Sequence, residues 1–369
     1  MSDIALAAKP VASSPPGEEE LRFIRNFHDV FLSIGIVLFA AGLGLVTSLF
    51  FAPIIKDASR GELSGILYGV AAVAFLNAAV MWLIGEVFAR GRRLFLPSIV
   101  ILLAFLAFLY VGVVASYAAI RDLPELFGAM EGAGDFDAVA AQGRSEFMRF
   151  ILIVAAAQTA GTLAFYLRMR LPFAMGLGMS LLTGTAIVAA WYFAPTLVET
   201  RFLDLQLAAG VFMFLLGIVF DARDPGRRTR YSDNAFWLHF FAAPTILGAV
   251  TSKVAGPMGP YTGETHPALA TLGVVAAFAF VSLLINRRAL LVAGLLSAGA
   301  SIAVLFSKTG LDAGWTAGVT LLTLGFSMVL LGGGWHAARR VVTAPFPRSG
   351  PIARIIPPEP RKGEEAADE

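Results

Sequence analysis

His239 is the side chain of this sequence whose surroundings are most typical of a functional site. It lies in the apolar stretch YSDNAFWLHFFAAPTILGAV, at 231–250, about one turn before Pro244. A proline inside a helix removes one backbone hydrogen bond, here freeing the carbonyl of Phe240, and kinks the helix. Alanines at i−4 and i+4 leave room for a second helix, so His239 is predicted to face protein. Two interpretations stay open: a hydrogen-bonded structural histidine, or a ligand-lining or gating residue beside a kink.

Two further polar side chains, Asn77 and Gln158, lie near the middle of apolar runs and carry no charge. With His239 and Pro244 they are the candidates for lining or gating a path through the protein. An ionisable side chain near the bilayer centre costs about 2.5–3.5 kcal/mol on insertion scales, so it indicates function by default. The carboxylates nearest to such positions lie close to the ends of runs: Glu86, Asp204 and Asp221. Because no carboxylate is obviously buried, coupling to protons or sodium is disfavoured.

The sequence lacks the patterns of the common reaction and metal centres. It has no cysteine, which excludes disulfides, thiolate nucleophiles and cysteine-ligated metals. It contains no GxxxxGK(S/T) phosphate loop, no HExxH pair and no GxSxG nucleophile elbow. The histidines occur singly at wide spacing: His28, His239, His266 and His336. We therefore predict no catalytic residue, no bound metal and no cofactor.

The composition assigns these side chains to a membrane protein. Of the 369 residues, 57% are hydrophobic and 15% are charged, whereas soluble domains average about 45–50% and about 25%. A helix needs about 20 apolar residues to cross a bilayer. Ten such runs lie at 30–51, 66–86, 96–120, 147–167, 171–194, 203–221, 235–252, 267–285, 290–306 and 315–335. The predicted fold class is an all-α polytopic membrane bundle of about ten transmembrane helices, in contact with the lipid bilayer.

The distribution of positive charge predicts the topology of these runs. If the N-terminus is cytoplasmic and the runs alternate in direction, 20 of the 28 Lys and Arg residues fall on the cytoplasmic side. Cytoplasmic loops of membrane proteins carry such an excess, so both termini are predicted to be cytoplasmic. Tryptophans lie near the ends of runs, where rings anchor at the membrane interface: Trp82, Trp191, Trp237, Trp315 and Trp335. The formal net charge is only +2, and no nucleic-acid partner is predicted.

Besides the helices of the transmembrane domain at 28–338, three segments are predicted to lie outside the membrane. Residues 1–27 are expected to form a cytoplasmic tail without the apolar core of a cleaved signal, so the first run is kept as a span. Residues 121–146 are predicted to form an acidic external loop, with a short surface helix as an open alternative. The loop lacks the fifth-position ligand and the glycine of an EF-hand. Residues 339–369, rich in proline and charge, are predicted to be a disordered cytoplasmic tail.

Local signals predict how individual helices begin and pack. Ser232 or Asp233 suits the N-cap of the seventh helix, because a side-chain oxygen there accepts a free backbone N–H. Trp237 suits its anchor at the membrane interface. In the fifth run, Gly176 and Gly184 flank a serine at four-residue spacing. Such small residues allow close approach of a neighbouring membrane helix.

The turns on the predicted cytoplasmic side share a pattern. The segments GRRLFLPSIV, RMRLPFAMGL and NRRALLVAGL each place arginines directly before a new apolar run. An old duplication of a helical hairpin would produce this pattern. The positive-inside rule acting on independent turns would produce it as well. Ten runs would also allow two inverted halves of five, and these alternatives stay open.

The stretch YSDNAFWLHFFAAP, following a basic turn, resembles a segment of uncharacterised multi-pass inner-membrane proteins of Gram-negative bacteria. The likeness rests on the overall layout and on seven residues: Asp233, Phe236, Trp237, Leu238, His239, Ala243 and Pro244. The resemblance implies a bacterial inner membrane and adds no established activity.

Two functions are predicted from these observations. The first is a non-enzymatic membrane protein acting as a scaffold, sensor or partner subunit, with another membrane protein or a second copy of this chain as its partner. The alternative is a permease for a small, largely uncharged solute, lined by Asn77, Gln158 and His239.

Overall fold

Long apolar helices form the body of the protein. A computed structural model describes residues 27–60, 62–121, 136–227 and 229–357, and within these ranges the chain contains no β-strand. Ten of the described helices are long and apolar enough to cross a bilayer. The predicted all-α polytopic fold is therefore confirmed, and the protein is a multi-pass membrane protein. The predicted tail at 1–27 lies almost wholly outside the described residues, since the first helix begins at Phe27.

The membrane-length helices follow one another along the chain. They are α1 (Phe27–Ala58), α2 (Leu63–Gly85), α3 (Phe95–Ile120), α4 (Phe136–Met169), α5 (Pro172–Phe193), α6 (Pro195–Arg223), α7 (Arg230–Ala255), α8 (Thr265–Ile285), α9 (Ala289–Ser307) and α10 (Ala313–Gly333). A π-helical turn at Glu86–Gly91 continues α2, and a 3-10 turn at Gly259–Thr262 precedes α8. Two short helices follow, α11 (Trp335–Thr343) and α12 (Pro351–Ile355).

The turns after α2, α4, α6 and α8 lie at one end of the bundle, because each helix reverses the direction of the chain. We call this the arginine-rich end, since these turns carry most of the arginines between the helices. The turns after α1, α5, α7 and α9 lie at the opposite end.

Large apolar side chains fill the space between α2, α3 and α4. Met81, Ile101 and Phe165 are fully buried there. Trp82 packs edge-on against Phe105 and Phe165, with ring centroids 5.4 and 5.7 Å apart. Lipid is as apolar as these side chains, so the hydrophobic effect does not drive membrane helices together. Dispersion between closely packed side chains holds them together instead.

Selected glycines allow neighbouring helices to pack closely, because they carry no side chain. A Cβ built on Gly176 of α5 would lie 2.7 Å from the carbonyl oxygen of Trp237 on α7. A Cβ built on Gly184, two turns further along α5, would meet nothing within 4 Å. The predicted small-residue contact thus exists at the first glycine of the motif and not at the second.

Helix α4 covers the second part of the segment that is predicted to be an external loop. Helix α4 begins at Phe136, ten residues before the end of the predicted loop at 121–146. Glu146 is held by Arg121 at the end of α3 and by Arg149 one turn later, each at 2.6 Å. These ion pairs extend α4 beyond its apolar run. Residues 122–135 of the loop lie outside the described part of the chain.

The prediction of a disordered tail from 339 onward is wrong for residues 339–357. Helix α11 contains Arg339, which is buried and donates from Nε to the carbonyl oxygen of Leu283, at 3.0 Å. Its guanidinium also donates to the carbonyl oxygen of Pro357. These bonds fix the segment against α8, which its proline-rich composition does not reveal. Residues 358–369 lie outside the described part.

Two turns at the arginine-rich end share one backbone geometry. Arg93 and Arg170 both adopt the left-handed region, with φ of 55° and 56°. Each is followed by an extended leucine, Leu94 or Leu171, with ψ of 124° and 120°, that opens the next helix. In the third turn of the predicted pattern, the left-handed residue is Asn286 instead. The likeness in sequence therefore extends to backbone conformation in two turns of three.

Candidate functional site

The ring of His239 is fully enclosed by protein on α7, which confirms the prediction that it faces another helix. That helix is α6. Phe214 meets the imidazole edge-on, with ring centroids 4.9 Å apart. A Cβ built on Gly217 would lie 2.8 Å from Cε1 of the ring, so only glycine leaves room for it. Small residues on the neighbouring helix, as well as on α7 itself, create this position.

Asp221, one turn beyond Gly217 on α6, lies at the centre of the polar contacts in this region. Its Oδ2 lies 3.2 Å from Nε2 of His239 and 3.1 Å from Nε of Arg287. A second guanidinium nitrogen of Arg287 donates to Oδ1. Two parallel N–H bonds from a guanidinium to a carboxylate form the strongest kind of side-chain pair. One carboxylate thus connects α6, α7 and the turn after α8.

Arg287 is buried and completes its contacts on α7. It donates to Oγ of Ser232 at 3.0 Å and to the carbonyl oxygen of Ser232 at 3.2 Å. Its own carbonyl oxygen accepts from Oγ of Ser282 at 2.6 Å. A buried charge is tolerated when it is both paired and hydrogen-bonded, as here.

Asn286 shapes the turn that places this arginine. It adopts the left-handed conformation, with φ 55°, which asparagine tolerates better than most residues. Its Oδ1 accepts from Nε1 of the buried Trp335 at 2.9 Å. Arg227 donates to its carbonyl oxygen at 2.9 Å, and Arg288 stacks over the Trp335 ring at 5.1 Å. Because Trp335 is buried, the prediction that it anchors at the membrane interface is wrong for this ring.

The start of α7 differs from the prediction. The N-cap is Thr229, whose Oγ1 accepts from the backbone N–H of Tyr231 at 3.3 Å. Asp224 accepts from both the N–H and the hydroxyl of Thr229, at 2.8 and 2.6 Å, and so fixes the cap. The prediction of Ser232 or Asp233 as the cap is therefore wrong. Both lie inside the first turn, where the acidic residue still suits the positive end of the helix dipole.

Pro244 and Trp237 lie apart from the imidazole. Pro244 is exposed on α7, which continues through it, whereas His239 is buried. Trp237 packs in an aromatic cluster that joins α3, α5 and α7. Its ring stacks on Phe95 and meets Phe173 edge-on, at centroid distances of 6.2 and 4.8 Å. The interface role of Trp237 and the gating role of the proline stay predictions.

The arrangement around Asp221 is suited to holding helices together. Both carboxylate oxygens are already occupied by guanidinium and imidazole nitrogens. The imidazole of His239 has no exposed surface, so a ligand does not reach it in this arrangement. The geometry therefore favours the structural interpretation of His239 over a ligand-lining one.

Asn77 occupies a different environment, on α2 facing α1. Its Nδ2 donates to Oγ1 of Thr47 at 2.8 Å, and that hydroxyl donates to the carbonyl oxygen of Leu43 at 2.7 Å. Because the hydroxyl proton is committed, Thr47 must accept from the amide, which fixes the orientation of the Asn77 side chain. Its Oδ1 is buried and has no hydrogen-bond partner among the described residues.

A cavity of about 870 Å³ lies beside this amide, between α1, α2 and α3. Its lining is largely apolar and follows α1 from Ala40 to Lys56. Asn77, Ser48 and Lys56 are the polar residues of the lining. The lining includes neither Gln158 nor His239. Gln158 instead donates to the carbonyl oxygen of Leu106 at 3.2 Å, which ties α4 to α3.

No group of three His, Cys, Asp or Glu side chains within the described ranges could hold a metal ion. Comparison of the chain with protein-family models, curated proteins and solved structures finds no match in any of the three.

Neither Asp221 as the partner of His239 nor Arg287 as the partner of Asp221 was predicted from the sequence. The sequence interpretation treated Arg287 as one of many basic residues that set topology, and Asp221 as a residue at a helix end. A signal was present in the opposite charges at the end of one span and the start of a later one. That signal does not select a pair, because several arginines lie at the same end of the bundle.

Proposed function

We propose that the protein is a non-enzymatic membrane protein of the bacterial inner membrane that binds an amphiphile between α1, α2 and α3. In this role it would act as a sensor or as the lipid-binding subunit of a membrane complex. The resemblance of residues 231–244 to multi-pass inner-membrane proteins supports the location. The engagement of Asp221 and His239 in helix contacts supports a non-enzymatic role.

The buried Oδ1 of Asn77 carries this proposal. A buried acceptor without a donor costs about 1–3 kcal/mol, and the Asn77 side chain that carries it lines a large apolar cavity. A hydroxyl or amide group on a bound molecule would supply the missing donor. The apolar walls fit a hydrocarbon chain, and lipid can enter such a cavity from the bilayer.

Lys56 indicates the head group of the ligand. It is exposed at the opposite end of the bundle, and its ammonium group has no carboxylate partner within the described part of the chain. Thr47, the partner of Asn77, lies nine residues earlier on α1, which corresponds to about 13.5 Å along the helix axis. The ligand would therefore combine an anionic head with a donor group partway along its chain.

The test compares 12-hydroxystearate with stearate, which share a carboxylate head and a chain and differ in one hydroxyl. Native mass spectrometry of the detergent-purified protein would measure both affinities. A preference of roughly tenfold for the hydroxy acid is expected, since one hydrogen bond contributes about 1 kcal/mol or slightly more. Asn77→Leu should abolish the preference while stearate still binds.

A bulky residue in the cavity provides a second variant. Ala107 lines the cavity on α3 and is exposed, so Ala107→Phe fills space without disturbing buried packing. Ala107→Phe should weaken the binding of both acids. Leu103→Phe, exposed on the same helix but outside the lining, should leave their binding unchanged. Equal affinities of the wild type for the two acids, or full binding by Ala107→Phe, would refute the proposal.

The permease is the second candidate, because Asn77 lines the same cavity near the middle of α2. It makes a different prediction. Vesicles reconstituted with the protein would swell faster in glycerol than empty vesicles, and Ala107→Phe would remove the difference. Amphiphile binding without glycerol flux would exclude a permease for this solute and leave the sensor proposal in place.

A further inference from the structure

A second cavity, of about 380 Å³, lies at the arginine-rich end between the ends of α2 and α4 and the start of α7. We call it the arginine cleft. Five of its eight lining residues are arginines: Arg90, Arg93, Arg168, Arg170 and Arg230. It is far along the bundle from Lys56 and shares no lining residue with the amphiphile cavity.

One carboxylate accompanies these five guanidinium groups. Glu86 accepts from Arg168 at 2.6 Å and from Arg90 at 3.2 Å. Arg93, Arg170 and Arg230 form no ion pair with any residue that the structure describes, although all three are exposed. Five guanidinium groups and the one carboxylate of Glu86 therefore leave the cleft with a strong positive excess.

The backbone holds two of these arginines in an unusual conformation. Arg93 and Arg170 adopt the left-handed region, which is uncommon for residues other than glycine, asparagine and aspartate. The helices that follow them, α3 and α5, begin without a side-chain cap. The positive ends of two helix dipoles therefore lie beside the cleft and add to its potential.

We propose that the arginine cleft binds a phosphate-bearing anion. Guanidinium groups match phosphate oxygens with paired N–H bonds, and basic pockets between membrane helices are suited to anionic lipid head groups. Leu167, also in the lining, is 74% exposed and continues the cleft onto the apolar surface of α4. A lipid phosphate with its chains along this surface and a soluble phosphate ester are the two sources of this ligand.

The experiment measures binding to the detergent-purified full-length protein. Short-chain phosphatidylglycerol, zwitterionic phosphatidylcholine and glycerol 3-phosphate are titrated separately. We expect phosphatidylglycerol to bind at least tenfold more tightly than phosphatidylcholine. If glycerol 3-phosphate competes at similar concentrations, the source is a soluble ester; if it does not, the source is lipid.

The variants test the cleft itself. Arg93→Gln combined with Arg170→Gln should reduce anion affinity at least tenfold. Arg60→Gln is the matched control, because Arg60 also has positive φ, 52°, and lies at the opposite end. Arg230→Gln changes an arginine inside helix α7, so it tests the charge without altering a left-handed turn.

Unchanged affinity in both the double variant and Arg230→Gln would overturn the proposal. Equal binding of the two lipids by the wild type, without binding of glycerol 3-phosphate, would overturn it as well. Asn77→Leu should leave binding of all three anions unchanged. Failure of the phosphate test in the arginine cleft therefore leaves the amphiphile proposal intact. Failure of the fatty-acid test likewise leaves the arginine-cleft proposal intact.

Discussion

Asp221, at the end of α6, forms polar contacts with two other parts of the bundle. It accepts from His239 on α7 and from Arg287 after α8. Arg287 in turn reaches Ser232 in the first turn of α7. Replacing such a pair with apolar residues can be neutral, but removing one partner leaves a buried charge uncompensated.

Asp221→Asn should therefore destabilise the protein strongly. Because Arg287 stays buried without a counter-charge, the expected loss is about 3–5 kcal/mol. The measurement is the free energy of unfolding in mixed detergent, or the thermal midpoint of the purified protein. The side chain of Arg287 is only 2% exposed, so water cannot replace the lost partner.

Asp204→Asn is the matched control at the residue scale. Asp204 pairs with Arg201 and Lys253 at the opposite end, but its side chain is 46% exposed. Exposed ion pairs contribute about 0–1 kcal/mol. Equal destabilisation by the two substitutions would contradict the interpretation that the Asp221 contacts are the structural ones.

At the scale of elements, α5 packs closely against α7 because Gly176 has no side chain. The nearest atoms to a Cβ on Gly176 belong to the backbone of Trp237, which cannot move without shifting α7. The same approach brings Phe173 of α5 onto the Trp237 ring. The aromatic cluster and the glycine contact thus depend on one helix–helix distance.

Gly176→Ala should push the two helices apart and destabilise the protein by about 1–3 kcal/mol, the usual cost of overpacking. Gly184→Ala, on the same helix with open space around it, should be neutral or stabilising by up to about 1 kcal/mol, because alanine is the better helix former. Thermal midpoints of both variants in one detergent provide the comparison. The interpretation fails if Gly184→Ala is the more damaging change.

For the whole molecule, the two ends of the bundle differ in charge, and the two proposed sites lie at different ends. The arginine cleft belongs to the end that carries most of the inter-helix arginines. Lys56 and the exposed mouth of the amphiphile cavity belong to the other. Which end faces the cytoplasm decides which leaflet supplies each ligand.

We expect the arginine-rich end to be cytoplasmic, because positive charge is retained on that side. An alkaline phosphatase reporter inserted at 225–226 should be inactive, and one inserted at 310–311 should be active. A cytoplasmic fluorescent reporter at the same two positions provides the control with the opposite pattern. The reverse result at both positions would invert the topology without changing the fold.

The sequence by itself determined the ten spans, their alternation and the two differently charged ends. Hydropathy and charge are properties of consecutive residues, so they can be read along the chain. All ten predicted runs coincide with described helices of membrane length. The small neighbours of His239 also indicated correctly that it faces protein.

Only the tertiary structure decided which polar groups meet. Asp221 and Arg287 are 66 residues apart, and the amide of Asn77 finds its acceptor, Thr47, 30 residues earlier on α1. Such pairs depend on the rotation and tilt of each helix, which packing sets and hydropathy does not encode. For the same reason, the buried arginine of α11, the earlier cap of α7 and the two cavities became visible only in three dimensions.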